Sequence, residues 1–145
     1  MKKRKLFCEI SPFTYKISIC KERIKRRIRD IKNSTKFARE KQVEKLPVII
    51  YEHKSLMRRK LGNVRRDLQE NKVINLSLAA PKVSGILIRP GEVFSFWKLV
   101  GNCTEKKGYK MGLTISLGQV SEGIRGGMCQ FTNLLHWMVL HTPLT

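Results

Sequence analysis

The sequence predicts an α+β protein: a basic, mainly helical N-terminal region over residues 1–73, then over 74–145 short strands and a helix beginning at a Gly-Gly-Met-Cys-Gln motif, residues 126–130. Three observations carry this. Ile24, Ile28 and Ile31 recur at helical spacing, with Lys or Arg at most positions between them. Short β-branched and aromatic runs alternate with Gly and Pro from Gly85 onward. A glycine-rich loop, Gly123 to Gly127, then feeds an apolar-periodic segment.

Taken in order, residues 21–46 read as a helix closed by Pro47. Val48-Ile49-Ile50-Tyr51 is β-branched and apolar, as a short strand would be. Leu56, Leu61, Val64 and Leu68 suggest two short helices within 55–70, broken at Gly62-Asn63. Asn75 to Val83 reads as a helix, with Pro81 opposing its last turn. Ile86-Leu87-Ile88 suggests a strand and Pro90-Gly91 a turn. Val93, Phe94, Phe96 and Trp97 form a strand-like aromatic patch. Gly101, Gly108 and Gly112 mark further turns, and Leu113 to Leu117 alternates like a half-buried strand. Met128 to His141 reads as a helix with Met128, Phe131, Leu135 and Met138 on its core face.

Composition bounds the function. The chain has 145 residues, 30 Lys+Arg against 11 Asp+Glu, and a net charge of +19. Hydrophobic residues make up 41%, too many for full disorder. The charge is uneven, with net +15 in residues 1–73 and net +4 in 74–145. Apolar runs such as Leu46 to Tyr51 fall far short of the roughly 20 residues of a membrane helix. Met1 to Lys5 is basic, but Glu9 follows Leu6-Phe7-Cys8 at once, so no secretory apolar core develops and a cytoplasmic location is expected. Cysteines at 8, 20, 103 and 129 contain no Cys-x-x-Cys, which argues against zinc, and the missing export signal argues against a disulfide framework. Nothing in the sequence calls for a cofactor. Cys8, Cys20 and Cys103 read as packing residues.

The most informative stretch is Gly126-Gly127-Met128-Cys129-Gln130. Here the thiol falls in the first turn of a helix, where unsatisfied N–H groups carry partial positive charge and favour thiolate over thiol. The glycines would admit a substrate backbone, and nearby N–H groups or the Gln130 amide could hold an oxyanion. That is the arrangement of a thiol acyl-transfer enzyme. Burial of the thiol behind a simple glycine turn is the competing reading. His136 shares the Cys129 face but lies two turns on, roughly 10 Å along the axis, too far to be its base. Neither His141 nor His53 is better placed by sequence.

A family resemblance joins these residues. Asn75 with Ala79-Ala80, then Pro90-Gly91-Glu92-Val93-Phe94-Ser95-Phe96-Trp97, then Gly101 and Gly108-Tyr109, and finally Gly126 to Gln130, stand in the order of the VanW family. The end, Asn133-Leu134-Leu135-His136-Trp137-Met138 with His141 to Thr145, is similar as well. The resemblance is dense over 71–145 and loose before it. The family is named for an accessory protein of vancomycin (glycopeptide) resistance clusters in Gram-positive bacteria. It implies a cell-wall role, with peptidoglycan or its precursor as partner and L,D-transpeptidase chemistry at Cys129 as catalytic nucleophile. Gly126, Gly127, Gln130 and Asn133 would then form the substrate or oxyanion site. Chains of the family continue beyond the Pro-Leu-Thr segment into a region bearing a histidine, so the resemblance also implies a truncated chain with an incomplete site.

Two other classes compete with a thiol acyltransferase. One is a non-enzymatic accessory module that binds cell-wall precursor or a protein partner. The other is a polyanion-binding protein, because the basic stretch 21–45 offers a surface for nucleic acid, anionic membrane or wall polymer. Tyr15 and Phe37 flank the charges without interleaving, and no helix-turn-helix or finger spacing occurs, so specific nucleic-acid binding is not expected.

Overall fold

A computed structural model describes residues 6–58, 66–116 and 119–144. It has helices and a few short strands in two small sheets, an α+β architecture. The chain divides into two compact units: residues 1–37 with 90–93, and residues 38–89 with 94–145.

In the first unit, helix α1 spans Pro12–Lys32, not 21–46. Its start is written locally. Ser11 is the N-cap and its Oγ accepts from the Thr14 backbone N–H at 3.2 Å, while Thr14 Oγ1 accepts from the Ser11 N–H at 3.0 Å. Pro12 occupies the first helical position, where a missing N–H costs nothing. The helix stops in a left-handed turn past its C-cap, Asn33. Ser34 takes a left-handed φ of 47°, and Thr35 N–H donates back to the Asp30 carbonyl at 2.9 Å. Strand β1, Lys36–Phe37, pairs in parallel with β2, Glu92–Val93. Cys8 is half-buried, but Cys20 is exposed on α1, so packing does not account for it.

The second unit is organised by α2, Arg66–Val83. Leu68, Lys72, Asn75, Ala79 and Val83 recur at helical spacing, and all except Lys72 are buried. The helix runs through Pro81 because Ala79 and Val83, on either side, both belong to the core. Lys41 Nζ donates to the Pro81 carbonyl. Burial thus overrides the local penalty of proline. Residues 55–58, expected to be helical, are irregular, and the expected break at Gly62-Asn63 lies outside the described residues.

Three expected strands are corrected. Val48 to Tyr51 joins no sheet, and Val48, Ile49 and Ile50 are exposed. Of Ile86 to Ile88, only Ile86 makes a bridge, to Lys41. The aromatic patch is mainly helical: β2 ends at Val93, and Phe96–Val100 forms α3, which buries Phe96 and Val100 against α2. Of the aromatic residues of this patch only Phe96 is buried, and Trp97 is exposed. Gly112–Ser116 and Gln119–Gly123 form the antiparallel hairpin β3–β4. Helix α4, Met128–Val139, follows, and Met128, Phe131 and Leu135 face the core as expected. Phe96 and Phe131 meet edge to face at 5.6 Å.

The polar centre of this unit is Asn75, 0% exposed. Its Oδ1 accepts from the Lys110 N–H at 2.7 Å, and its Nδ2 donates to the carbonyls of Lys110 at 2.9 Å and Gly126 at 3.1 Å. One side chain therefore ties α2 to the approach of β3 and to the entry of α4. Replacing Asn75 with Ala strands buried backbone groups and is expected to lower unfolding stability by about 2–4 kcal/mol in urea denaturation.

Candidate functional site

The site is built at the entry to α4. After β4 the chain turns tightly, with the Gly126 N–H donating to the Gly123 carbonyl at 3.2 Å and the Met128 N–H to Arg125 at 3.2 Å. Gly126 is buried against Gly112, and a Cβ on Gly126 would lie 2.4 Å from the Gly112 backbone. The close backbone approach expected of this glycine is made by the chain's own β3. Gly127 is the N-cap of α4 with a left-handed φ of 92°, and its added Cβ would meet Lys72 Cγ at 2.4 Å.

A glycine N-cap has no side chain to bond the first-turn amides, and α4 has no side-chain cap. The Met128 N–H is taken by Arg125 and the Phe131 N–H by Gly127. Among the described residues the Cys129 and Gln130 N–H groups have no backbone partner. The Cys129 thiol is exposed beside them, and Asn133, one turn on, is exposed too.

The Gln130 side chain is already engaged. Its Oε1 accepts from Lys72 Nζ at 3.2 Å, and its Nε2 donates to Ser55 Oγ at 3.3 Å and to the Leu56 carbonyl at 3.2 Å. This holds the segment 51–58 along α4 in the opposite direction to the helix. At the far end Trp137 Nε1 donates to Tyr51 Oη at 3.2 Å, and Tyr51 stacks on His141 at 4.0 Å. Beyond Gln130, Arg58 makes two bonds to Glu70 at 2.7 and 2.8 Å, which hold the Glu70 carboxyl below its ordinary range.

The histidines gather away from the thiol. His53 lies 6.5 Å from the Trp137 ring, His141 Nδ1 lies 2.8 Å from the Trp137 carbonyl, and His136 is exposed. Trp137 is eight residues past Cys129, roughly 12 Å along the helix. Among the described residues no hydrogen bond joins Cys129 to any histidine.

Cys103 is half-buried against the core, as expected of a packing residue. Burial pushes its thiol up from the ordinary range, opposed by a hydrogen bond with Tyr109 and by the charges of Lys82, Arg125 and Lys107. Lys82 Nζ donates to the buried Tyr109 hydroxyl and to the Val100 carbonyl, each at 3.3 Å.

Sequence reasoning missed Lys72, Gly112, Ser55 and Leu56 as partners of the motif, and gave Asn75 no role. A signal for Asn75 was present, because it is a polar residue on the core-facing stripe of α2. Nothing local marks Ser55 or Leu56, 75 and 74 residues from Gln130.

Comparison with known proteins places this site in a family segment. The model of the VanW-like proteins matches residues 71–145. The vancomycin B-type resistance protein VanW of Enterococcus faecalis is 56% identical over 77 residues, covering 53% of this chain and 28% of that protein. A Bacillus subtilis protein, the uncharacterized YoaR, is 43% identical over 61 residues, covering 42% of this chain and 20% of its own length. The matched part of the chain thus spans less than a third of either relative. No solved structure gives a significant match. Among the described residues no helix is long and apolar enough to cross a membrane.

Two outcomes follow from the geometry. Gly126→Ala forces its Cβ into the Gly112 backbone and is expected to cost about 3 kcal/mol or more in thermal or urea unfolding. The raised Cys103 thiol binds its proton more tightly folded than unfolded, so its contribution to stability is full below the ordinary thiol range. That contribution is lost as pH rises from there through the raised value. Urea midpoints measured across that window should fall more steeply in the wild type than in Cys103→Ala.

Proposed function

The chain belongs to the VanW-like family, and we propose that it acts on peptidoglycan or its precursor in glycopeptide resistance, with the Cys129 thiol as acyl acceptor. The observation that carries this reading is the exposed Cys129 in the first turn of a helix whose glycine N-cap supplies no side-chain bond. The N–H donors of such a first turn suit the oxyanion that forms when a thiolate attacks a carbonyl. In the proposed step Cys129 Sγ adds to a stem-peptide amide carbonyl, the C–N bond breaks, and the proton lost by the thiol goes to the leaving amine. A second amine then attacks the thioester, the C–S bond breaks and the thiol returns. The base is left unassigned, since among the described residues no hydrogen bond joins Cys129 to His53, His136 or His141.

A second reading, a non-enzymatic module that binds precursor or a protein partner, is favoured by a different observation. Gly126, Gly127 and the Gln130 side chain all serve the chain's own packing. One experiment separates the two. Intact-mass measurement after incubation with a peptidoglycan stem tetrapeptide activated as a C-terminal thioester, whose leaving thiolate needs no proton, is expected to show a thioester adduct in the wild type. It should show none in Cys129→Ala, whose stability should stay within about 0.5 kcal/mol of the wild type. No turnover is expected from the isolated chain. Tetrapeptide binding without an adduct supports the accessory module, and loss of folding in Cys129→Ala assigns the thiol to packing.

A further inference from the structure

Helix α1 carries a feature that the reading of Cys129 does not use. At about 100° per residue, Phe13, Ile17, Cys20, Ile24, Ile28 and Ile31 fall within an arc of roughly 80° along its whole length. The stripe faces solvent: Phe13 is 70% exposed, Ile17 42%, Ile24 51%, Ile28 60% and Ile31 77%. The half-buried residues of the helix, Thr14, Ser18, Ile19 and Asp30, lie outside that arc. Basic side chains border the stripe on both sides, Lys21, Lys32 and Lys25 along one edge and Arg27, Lys16 and Arg23 along the other. Both acidic residues of the helix, Glu22 and Asp30, lie well away from it.

We propose that α1 is an interfacial helix that lies on an anionic phospholipid surface, with the isoleucine stripe at the acyl boundary and the flanking Lys and Arg at the headgroups. An apolar arc bordered by long cationic side chains matches that environment from both sides, because the aliphatic stems run along the stripe while the charges reach phosphates. Nucleic acid or an anionic wall polymer would satisfy the cations and leave five large apolar side chains in water. A second copy packed on the same stripe would set six flanking basic residues against six. A lipid surface is the partner that satisfies stripe and charge together. It needs no spanning segment, in accord with the absence of a membrane-crossing helix among the described residues.

The test is flotation of the full chain with vesicles. Binding is expected to phosphatidylglycerol–phosphatidylcholine vesicles and to be at least about tenfold weaker to phosphatidylcholine alone, since each basic residue near an anionic surface adds to the partition free energy. The double variant Ile24→Asp with Ile28→Asp should lose at least about tenfold in binding to the anionic vesicles. Tyr15→Ser, opposite the stripe, should bind as the wild type does. Should circular dichroism show helix loss in the Asp pair, Ile24→Ala with Ile31→Ala takes its place, because alanine keeps the helix and removes apolar area. Equal binding by the wild type and the helical stripe variant overturns the proposal. So does DNA binding that survives the stripe substitutions with no vesicle binding, or a dimer that they dissolve in the absence of lipid.

Discussion

A buried asparagine holds the second unit in register. Asn75 sits on the core face of α2, in line with the buried Leu68, Ala79 and Val83. Desolvating a primary amide is tolerable only if it finds partners, and Asn75 finds three, all of them backbone groups. Backbone partners are what make it a constraint. The bonds to Lys110 position the chain entering β3, and the bond to Gly126 positions the chain leaving β4. The two ends of the hairpin are thereby brought together, and Gly112 and Gly126 can meet only because neither has a Cβ. Steric fit and hydrogen bonding select the same arrangement.

The entry of α4 inherits its chemistry from this packing. Since Gly126 must approach Gly112 and Gly127 must turn left-handed beside Lys72, the helix begins on a glycine cap. The cap leaves first-turn amides unbonded, and it places the next two side chains differently. Met128 goes into the core, 2% exposed, and Cys129 one position on faces outward. Gln130 then recruits a distant segment and Lys72. Structural and chemical readings of the motif are therefore layered. The glycines and the glutamine build the platform, and the thiol with its neighbouring amides is what the platform presents.

The cationic region follows a different logic. In α1 the apolar residues are the ones left in solvent, and the half-buried residues are mostly polar. A helix that serves only its own fold buries its stripe. Here the stripe is continuous, exposed and bordered by charge.

Sequence by itself determined what depends on neighbours a few residues away. Isoleucine spacing marked a basic helix, the Gly-Gly-Met-Cys-Gln run marked the start of α4, and the Met128, Phe131, Leu135 stripe marked its buried face. Two motif blocks pointed to the family. Even the true start of α1 at Ser11-Pro12 was locally written, although the longer run of charges drew the reading toward 21–46. Tertiary structure decided the rest. Pro81 stays helical because Ala79 and Val83 are buried, Phe96 is helical because α2 offers it a face, and Val48 to Tyr51 forms no strand for want of a partner. The surroundings of the motif follow the same rule. Whether a glycine pair admits a substrate or its own hairpin, and whether Gln130 is free or bound 75 residues back, depends on groups that only folding brings within hydrogen-bond distance.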